Sequence, residues 1–455
     1  MKKFIKQKRQ DKNGFDTNFR DALPRFAVTF LLLTGVSIFC LTGVNERTVF
    51  ATSAQISGNT TAVETLEKSG TSALKIIENP PEITIYEEDI SSSPYTLQPL
   101  TVNGETNPVY TSYNSVFTAN SYTGIGTNGF TTSISKIPNS YAIEFTIDCS
   151  DFVFRTSPFF RISVDEGNGY EMVSFEGFTE GSIAWMNFKV SFSEKKQRNI
   201  RIELTNSFWG VYLRDTDTIS KLERESNPKA VFIGTSITQG VYKYFNCCNP
   251  LIGYPAVVSD TLGFECMNNG MGGTGYLTAG SSTTYYDRLV YAVENLKPDI
   301  IFIEGGPNDV DRYENVDIVT EAERCHEYLL MNAPDTKLII IGLYHHTGYE
   351  YLSQKHIDLN EKLREEALKY GIPYIDLLTG DTIAGDGTIL TEGHLRSTDG
   401  NFYITGNGNT ANPTENGNAD VYVDSDNYHP SVDGYAFLGT KLSVEIEKIL
   451  EYQKY

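Results

Sequence analysis

Two widely separated segments of the chain contain the residue types that nucleophilic acyl transfer requires. Ser236 directly follows the apolar segment 230–234, and Asp426 precedes His429 by three residues near the C-terminus. A serine hydroxyl is a weak nucleophile until a neighbouring base takes its proton. A histidine base in turn needs a carboxylate that fixes its tautomer and stabilises the imidazolium. We therefore predict that Ser236 is the nucleophile, that His429 is the general base and that Asp426 orients His429.

Two further segments could stabilise the negative charge that develops on the carbonyl oxygen under attack. Gly273 lies in a glycine-rich stretch after the apolar segment 264–268, and Asn308 follows the apolar segment 299–304. Glycine lets a backbone N–H approach a ligand closely. Together with the backbone N–H of Ser236, the N–H of Gly273 and the side-chain amide of Asn308 would form an oxyanion hole. Each such donor typically stabilises the transition state by about 3–4 kcal/mol.

Each of these residues taken alone also has an ordinary structural explanation. Serine is favoured at helix N-caps, asparagine caps turns and helices, and glycine and histidine are frequent in surface turns. The tripeptide Gly-x-Ser also recurs at 70–72 and at 280–282. The combination of all four segments, each beside a predicted strand or helix, is what favours a catalytic function.

The four segments lie in a region that we predict to be an α/β domain. From residue 226 onward, short apolar stretches alternate with helix-length stretches, which is typical of a parallel sheet covered by helices on both faces. Such sheets bind ligands at the carboxyl ends of their strands, which is where Ser236, Gly273 and Asn308 fall. The predicted strands are 230–234, 264–268, 299–306, 337–344 and 372–378, and the predicted helices are 254–262, 284–296, 315–331, 353–370 and 431–452.

Residues 81–225 have a different pattern, in which apolar and polar residues alternate in short segments separated by Gly, Asn, Asp and Ser. Period-two alternation with many β-branched and aromatic residues predicts an antiparallel β-sandwich or jelly roll. No helix-length periodic segment interrupts the stretch. The clearest strand candidates are 83–90, 141–147, 159–167, 183–192 and 199–205.

The four segments together resemble the sequence blocks of the SGNH, or GDSL-type, hydrolases. The resemblance covers about residues 227–455, and it implies a three-layer α/β/α fold with a flavodoxin-like parallel sheet. It also implies serine esterase activity without a metal or organic cofactor. The residues that match the four blocks, in chain order, are Ser236, Gly273, Asn308, and Asp426 with His429.

One position departs from the family pattern, since Thr235 stands where the family usually has aspartate. That aspartate is not one of the family's catalytic groups, so the departure does not argue against activity. The α/β-hydrolases are a poorer match, because they require Gly-x-Ser-x-Gly and position 238 is Thr. Their catalytic Asp and His are also usually far apart in sequence.

An all-β domain ahead of an SGNH domain further resembles the two-domain carbohydrate esterases, which remove acetyl groups from polysaccharides. That resemblance implies a small acyl ester as the substrate, in particular an O-acetyl group on a glycan. A lipid-ester hydrolase is one alternative, and a glycan-binding surface protein with an inactive SGNH domain is another. No long apolar segment near the four blocks could form a lipid-binding lid, which favours the small ester.

The N-terminal residues have the pattern of an export signal. Residues 26–44 form an uncharged apolar run that follows a basic stretch and precedes small residues. We predict that 1–51 is a signal peptide cleaved after Ala51, with an uncleaved signal anchor as the competing interpretation. Both interpretations place the body of the protein outside the cytoplasm, secreted or at the cell surface, and only an uncleaved segment would contact the membrane.

The rest of the chain is strongly acidic. The 455 residues have a net charge of −21, and residues 1–51 carry nine of the 37 basic and four of the 58 acidic side chains. Nucleic acid is therefore not an expected partner. The predicted organisation is a signal segment (1–51), a flexible linker (52–80), a β-sandwich domain (81–225) and an SGNH hydrolase domain (226–455).

A long polar segment, 379–425, separates the last predicted strand of the sheet from the turn that contains Asp426 and His429. It is rich in Gly, Asn, Asp and Thr. Loops of this length inside compact domains are often functional. We therefore predict that the segment forms part of the substrate cleft as a hairpin, with a surface excursion of no catalytic consequence as the alternative.

Overall fold

The computed structural model describes most of the chain between residues 81 and 453. All described residues belong to the second of two compact units, Arg47–Tyr455. The predicted signal segment 1–51 and linker 52–80 lie outside the described residues. Among the helices that the structure describes, none is both long and apolar enough to cross a membrane. The described ranges are 81–86, 90, 93–99, 101–102, 105–106, 108–113, 140–156, 160–176, 186–205, 208, 210–223, 227–242, 247–280, 283–344, 353–393, 419–424, 426 and 428–453.

The N-terminal region is an all-β fold of antiparallel strands. Its strands are β1 (Glu82–Ile85), β2 (Tyr95–Pro99), β3 (Thr101–Val102), β4 (Glu105–Thr106), β5 (Thr111–Tyr113), β6 (Tyr141–Thr156), β7 (Phe160–Asp165), β8 (Glu171–Glu176), β9 (Met186–Leu204), β10 (Gly210–Arg214) and β11 (Thr218–Ser220). The order is β2-β10-β6-β9-β7-β8, while β1 pairs with β9, and β5 and β11 pair with β6. The two long strands, β6 and β9, therefore pair with most of the other strands of the region.

A bulge just after Cys149 lets both halves of β6 face one core. The core residues of β6 are odd-numbered before the bulge, as in Ile143 and Phe145, and even-numbered after it, as in Phe152 and Phe154. Because successive side chains of a strand point to opposite faces, one extra residue reverses which positions face the core. The strand pairs with β5 and β11 in one half and with β10 in the other, and both halves contribute side chains to the same core.

The C-terminal region is built on a largely parallel sheet. Its strands are β12 (Lys229–Gly234), β13 (Val241–Tyr242), β14 (Cys247–Cys248), β15 (Glu265–Gly270), β16 (Ile300–Glu304), β17 (Lys337–Ile341), β18 (Tyr374–Ile375), β19 (Thr382–Ile383) and β20 (Ile389–Thr391). The main sheet has the order β15-β12-β16-β17-β18-β19-β20, in which the last two strands are antiparallel. The five parallel strands thus have the order 2-1-3-4-5, which is that of a flavodoxin-like sheet.

Helices cover both faces of this sheet. They are α1 (Ser236–Gln239), α2 (Tyr254–Leu262), α3 (Tyr285–Tyr291), α4 (Asn315–Asn332), α5 (Gln354–Lys369), α6 (Ala419–Tyr422) and α7 (Val432–Tyr452). On the central strand β12, Val231 and Ile233 pack into one core, and Ala230 and Phe232 pack into the core on the opposite face. Burial on both faces explains why these strands appear in the sequence as continuous apolar runs.

The predicted fold is confirmed, since a three-layer α/β region follows an all-β region. Two predicted elements are divided differently in the structure. The predicted strands 183–192 and 199–205 form one strand, β9, because antiparallel pairing with β6 resumes at residue 196 within the exposed polar stretch between them. The predicted helix 284–296 changes after α3 into a π-helical turn, Ala292–Leu296.

Salt bridges join the two regions. Arg161 Nη1 lies 2.5 Å from Asp260 Oδ2 in α2, and Arg201 Nη2 lies 2.8 Å from Glu265 Oε2 at the start of β15. Both arginine side chains are largely buried, and each also pairs with a glutamate of the β region. Removing one partner of a buried ion pair leaves an uncompensated charge and costs about 3–5 kcal/mol. The network therefore links two elements of the α/β region to the β region.

Candidate active site

Ser236 lies at a sharp turn between β12 and α1. The preceding residue, Thr235, is the N-cap of α1, and its Oγ1 accepts the backbone N–H of Ile237 at 3.2 Å. Because the helix starts immediately after this cap, Ser236 is its first residue, and its N–H is one of the four that a helix leaves without an intrahelical acceptor. The helix ends after four residues at Gly240, which adopts a left-handed conformation (φ 82°).

The turn containing Asp426 and His429 is held by hydrogen bonds within its own segment. Asp426 Oδ1 accepts the backbone N–H groups of Tyr428 and His429, both at 3.0 Å. Two backbone hydrogen bonds close the turn, from Asp424 to the carbonyl of His429 and from Ser431 to the carbonyl of Tyr422. Hydrogen bonds within the turn therefore hold the two catalytic candidates, Asp426 and His429, in place.

The structure brings the three predicted triad residues into one hydrogen-bonded row. His429 Nδ1 lies 2.6 Å from Asp426 Oδ2, and His429 Nε2 lies 2.9 Å from Ser236 Oγ. An ionised carboxylate can only accept, so Nδ1 carries a proton and Nε2 is left to accept the proton of the serine hydroxyl. This is the tautomer that a general base for Ser236 requires.

The charge on Asp426 suits this arrangement. Partial burial acts to raise the pKa of its carboxyl group, but hydrogen bonds from the ring and backbone of His429 and from the backbone of Tyr428 outweigh that effect. The pKa of Asp426 therefore lies below its usual range, and the group is ionised at neutral pH. An ionised partner stabilises the imidazolium that forms when His429 takes a proton.

Gly273 lies beside Ser236 with its backbone accessible. It follows β15 and adopts a left-handed conformation (φ 72°), and no atom would lie within 4 Å of a Cβ added there. Its neighbour Gly272 packs against Ser236, since a Cβ on Gly272 would lie 3.5 Å from the Cβ of Ser236. The loop therefore brings a backbone that is not covered by a side chain next to the serine.

Asn308 and Asp309 hold the same loop from the other side. Asn308 Nδ2 donates to the carbonyl of Thr274 at 2.9 Å, which uses one of the two amide hydrogens. The buried carboxylate of Asp309 accepts the backbone N–H groups of Tyr276 and Thr278 at 2.6 and 2.7 Å. Gly275 makes this possible, because a Cβ there would lie 2.2 Å from Asp309 Oδ2.

Sequence reasoning missed Glu304, which lies beneath the nucleophile turn. The residue is 1% exposed at the end of β16, and its carboxyl group accepts hydrogen bonds from the backbone N–H and hydroxyl of Thr235 and from the hydroxyl of Thr238. Burial raises the pKa of Glu304, and these hydrogen bonds oppose the rise. A charged residue inside an apolar strand buried on both faces was the available signal.

The polar segment 379–425 does begin with the predicted hairpin. Strands β19 and β20 pair and extend the sheet beyond β18, and Lys448 Nζ of α7 donates to Thr391 Oγ1 at 2.9 Å. Residues 394–418 lie outside the described residues. The role of this segment in the substrate cleft stays a prediction. Within the part of the chain that the structure describes, no group of three or more His, Cys, Asp or Glu side chains could hold a metal ion.

Residues 232–437 match the model of the GDSL-like lipase/acylhydrolase family. This match contains Ser236, Gly273, Asn308, Asp426 and His429. The C-terminal region is therefore a GDSL-like domain of the SGNH hydrolase class, as the four sequence blocks predicted.

Solved structures resemble the chain in fold at low sequence identity. A salicylyl-acyltransferase from a tetracycline biosynthetic pathway is 14% identical with a TM-score of 0.50, over 78% of this chain and 98% of that chain. A family two carbohydrate esterase from Clostridium thermocellum in complex with cellohexaose is 15% identical with a TM-score of 0.46, over 68% and 93%. Another from Cellvibrio japonicus is 11% identical with a TM-score of 0.46, over 77% and 97%. No curated protein matches the chain in sequence.

Proposed function

We propose that the protein is an extracytoplasmic serine esterase that hydrolyses small acyl esters, in particular O-acetyl groups on a polysaccharide. Ser236 Oγ attacks the ester carbonyl while His429 Nε2 takes its proton. The oxyanion accepts hydrogen bonds from the N–H groups of Ser236 and Gly273 and from the side-chain amide of Asn308. His429 then protonates the leaving alcohol, and a water molecule that His429 deprotonates releases the acid from the acyl-enzyme.

The row of contacts from Ser236 through His429 to Asp426 carries this proposal. Separations of 2.9 Å and 2.6 Å are within hydrogen-bonding range without any movement of the side chains. The protonation states also match the proposed roles, because the ionised Asp426 accepts a hydrogen bond from His429 Nδ1. The SGNH class of the domain supports ester hydrolysis as the reaction.

The choice of a small acyl group on a glycan depends on the sequence. The apolar run 26–44 after a basic stretch favours export, which would bring the enzyme to cell-wall or environmental polysaccharides. No long apolar segment near the four blocks is available as a lipid-binding lid. A lipid ester is the alternative substrate, and its acyl chain would need a longer apolar groove.

The proposal is tested by hydrolysis of p-nitrophenyl acetate, butyrate and octanoate by the purified protein and its Ser236→Ala variant. We expect a preference for acetate and a loss of up to about 10⁶-fold in kcat in the variant. A matched control is Ser72→Ala, because Ser72 lies in an identical Gly-Thr-Ser tripeptide. This control is expected to keep full activity. Release of acetate from an acetylated xylan would then extend the result to a polysaccharide.

Other outcomes would change the assignment. A preference for octanoate would replace the glycan with a lipid ester while leaving Ser236 as the nucleophile. Equal activity of the parent protein and Ser236→Ala, or no activity in either, would contradict the catalytic role of Ser236. Recovery of the protein in neither the medium nor the membrane fraction of the producing cell would contradict the proposed export.

A further inference from the structure

One peptide bond, Gly234–Thr235, lies between two buried ionisable side chains one residue before the nucleophile. The carbonyl oxygen of Gly234 accepts a hydrogen bond from Arg288 Nη1 at 3.0 Å. The N–H of Thr235, on the same peptide unit, donates to Glu304 Oε2 at 3.1 Å. Because the carbonyl and N–H of a trans peptide point in opposite directions, the guanidinium and the carboxyl group lie on opposite sides of this unit.

Arg288 is unusual because it is a fully buried cation. It lies on α3 with 0% exposure, and none of the ion pairs between residues that the structure describes includes it. Its acceptors are neutral, since it also donates to the carbonyl of Asn269 and to Thr274 Oγ1, the latter at 2.7 Å. Burial lowers the pKa of Arg288 to about 10, which leaves it protonated at neutral pH. Burying a charge without a direct counter-ion lowers the stability of the folded protein, which indicates a functional role for Arg288.

The contacts of Arg288 reach two of the three segments that supply a predicted oxyanion donor, and Thr274 links it to the third. Through the Gly234 carbonyl it holds the turn that ends in Ser236. Through Thr274 Oγ1 it holds the residue that follows Gly273, and the carbonyl of the same Thr274 accepts from Asn308. A buried cation next to these segments also adds positive potential on the side where the reaction creates a negative charge.

We propose that Arg288 and Glu304 are positioning residues of the esterase site. By holding the Gly234–Thr235 peptide from both sides, they fix the direction of the Ser236 N–H and, through Thr274, that of the Gly273 loop. This inference rests on the proposed esterase function. It also explains Thr235, which stands where the family usually has aspartate, because Glu304 brings a carboxyl group to the Thr235 hydroxyl at 2.8 Å.

Gly234 supports the same arrangement. A Cβ at this position would lie 1.9 Å from Thr238 Oγ1 and 2.5 Å from Glu304 Oε2. Only glycine therefore lets the carboxyl group approach the peptide closely enough to accept its N–H.

The test compares Arg288→Gln, Arg288→Lys and Thr274→Val with the parent protein. Arg324→Gln is the matched control, because this arginine of α4 is 55% exposed, pairs with Glu321 and lies outside the site. The readouts are kcat and KM for p-nitrophenyl acetate, the urea unfolding midpoint, and amide hydrogen exchange of segments 234–240 and 271–276.

We expect Arg288→Gln to lower kcat by about 100-fold while KM changes by less than about threefold, because the lost stabilisation appears in the transition state. Arg288→Lys keeps the charge and should recover part of the loss. Thr274→Val, which loses one acceptor of Arg288, should lower kcat by about tenfold. Arg324→Gln should leave kcat unchanged.

A folded Arg288→Gln protein with the parent kcat would overturn the proposal, and so would a loss confined to KM. If neither Arg288 variant folds, Thr274→Val decides in the same way, since an unchanged kcat would overturn it. If the parent protein hydrolyses no ester, the proposed function fails by itself. Hydrogen exchange then decides the positioning role: faster exchange over 234–240 in Arg288→Gln supports it, and unchanged exchange overturns it.

Discussion

The two sides of the proposed active site are held by different means. The proposed oxyanion side, with Ser236, Gly273 and Asn308, follows three strand ends that other elements hold through buried ionisable groups. The base side, formed by Asp426 and His429, is one turn whose own backbone N–H groups donate to Asp426. The geometry of the donors is therefore a property of the tertiary structure, whereas the geometry of the base is largely local.

Exposure follows the same division. The side chains of Asp426 and His429 are 17% and 18% exposed, while Arg288 and Asp309 are fully buried. A histidine that exchanges protons with substrate and water must be accessible, whereas the groups that hold the donor segments in place can be fully buried. Variants on the base side should therefore change activity with little effect on stability, and variants of the buried residues beneath the oxyanion side should lower stability.

The largest expected effect is on the base side. His429→Ala removes the proton acceptor of Ser236, so we expect kcat for p-nitrophenyl acetate to fall by up to about 10⁶-fold. The free energy of unfolding should change by less than about 1 kcal/mol, because the side chain is partly exposed. His356→Ala is the control, since His356 contacts Ser353 on α5, away from the triad. Activity of His429→Ala within tenfold of the parent would exclude this histidine as the base.

Asp426→Asn should have a smaller effect than His429→Ala. An amide keeps an oxygen that can accept the backbone N–H groups of the turn, but it favours the wrong tautomer of His429, and such a change lowers kcat by about 10⁴-fold. Steady-state kinetics and circular dichroism measure both consequences. A drop of less than tenfold would mean that Asp426 does not orient the base, and a loss of fold would contradict the local character of the turn.

Two neighbours on the oxyanion side should separate catalysis from stability. Asn308→Ala removes a predicted donor, and we expect kcat to fall by about 10²–10³-fold with KM nearly unchanged. Asp309→Asn leaves that donor in place but weakens a buried acceptor of backbone N–H groups, which should lower the free energy of unfolding by about 1–3 kcal/mol. Kinetics and urea unfolding of both variants test the difference. The reverse pattern would show that the roles of the two residues are exchanged.

The same contrast explains what the sequence could predict. Ser236, Asp426 and His429 were predicted as a triad because their residue types and their positions beside predicted elements define a chemistry. Glu304 and Arg288 were not, because each falls in a regular element, and only tertiary structure places one peptide bond between them. The single strand β9 was split in the prediction, because an exposed polar stretch within a strand has the composition of a turn.

A histidine outside the site should make stability, but not catalysis, depend on pH. His326 on α4 is buried, and both ring nitrogens are without a hydrogen-bond partner among the described residues. Burial lowers its pKa to about 4, so between this value and about 6.5, the pKa of an exposed histidine, mainly the unfolded chain binds the proton. The stability contributed by neutral His326 is therefore complete above pH 6.5 and is lost as the pH falls toward 4.

Urea unfolding at pH 7 and pH 5 measures this effect in the parent protein and in His326→Leu. Between these pH values the free energy of unfolding of the parent should fall by about 2 kcal/mol more than that of the variant. Equal pH dependence of the two proteins would show that folding does not shift the pKa of His326. The pH dependence of kcat should be the same in both proteins, since His326 lies outside both sides of the site.

The assignment of Ser236 as the covalent nucleophile is tested most directly by trapping it. The purified protein is incubated with a fluorophosphonate, which reacts with activated serines, and the modified peptide is identified by mass spectrometry. We predict one adduct, on Ser236, that is absent from Ser236→Ala and strongly slowed in His429→Ala. An adduct on another residue, or none in a protein that hydrolyses p-nitrophenyl acetate, would contradict the assignment.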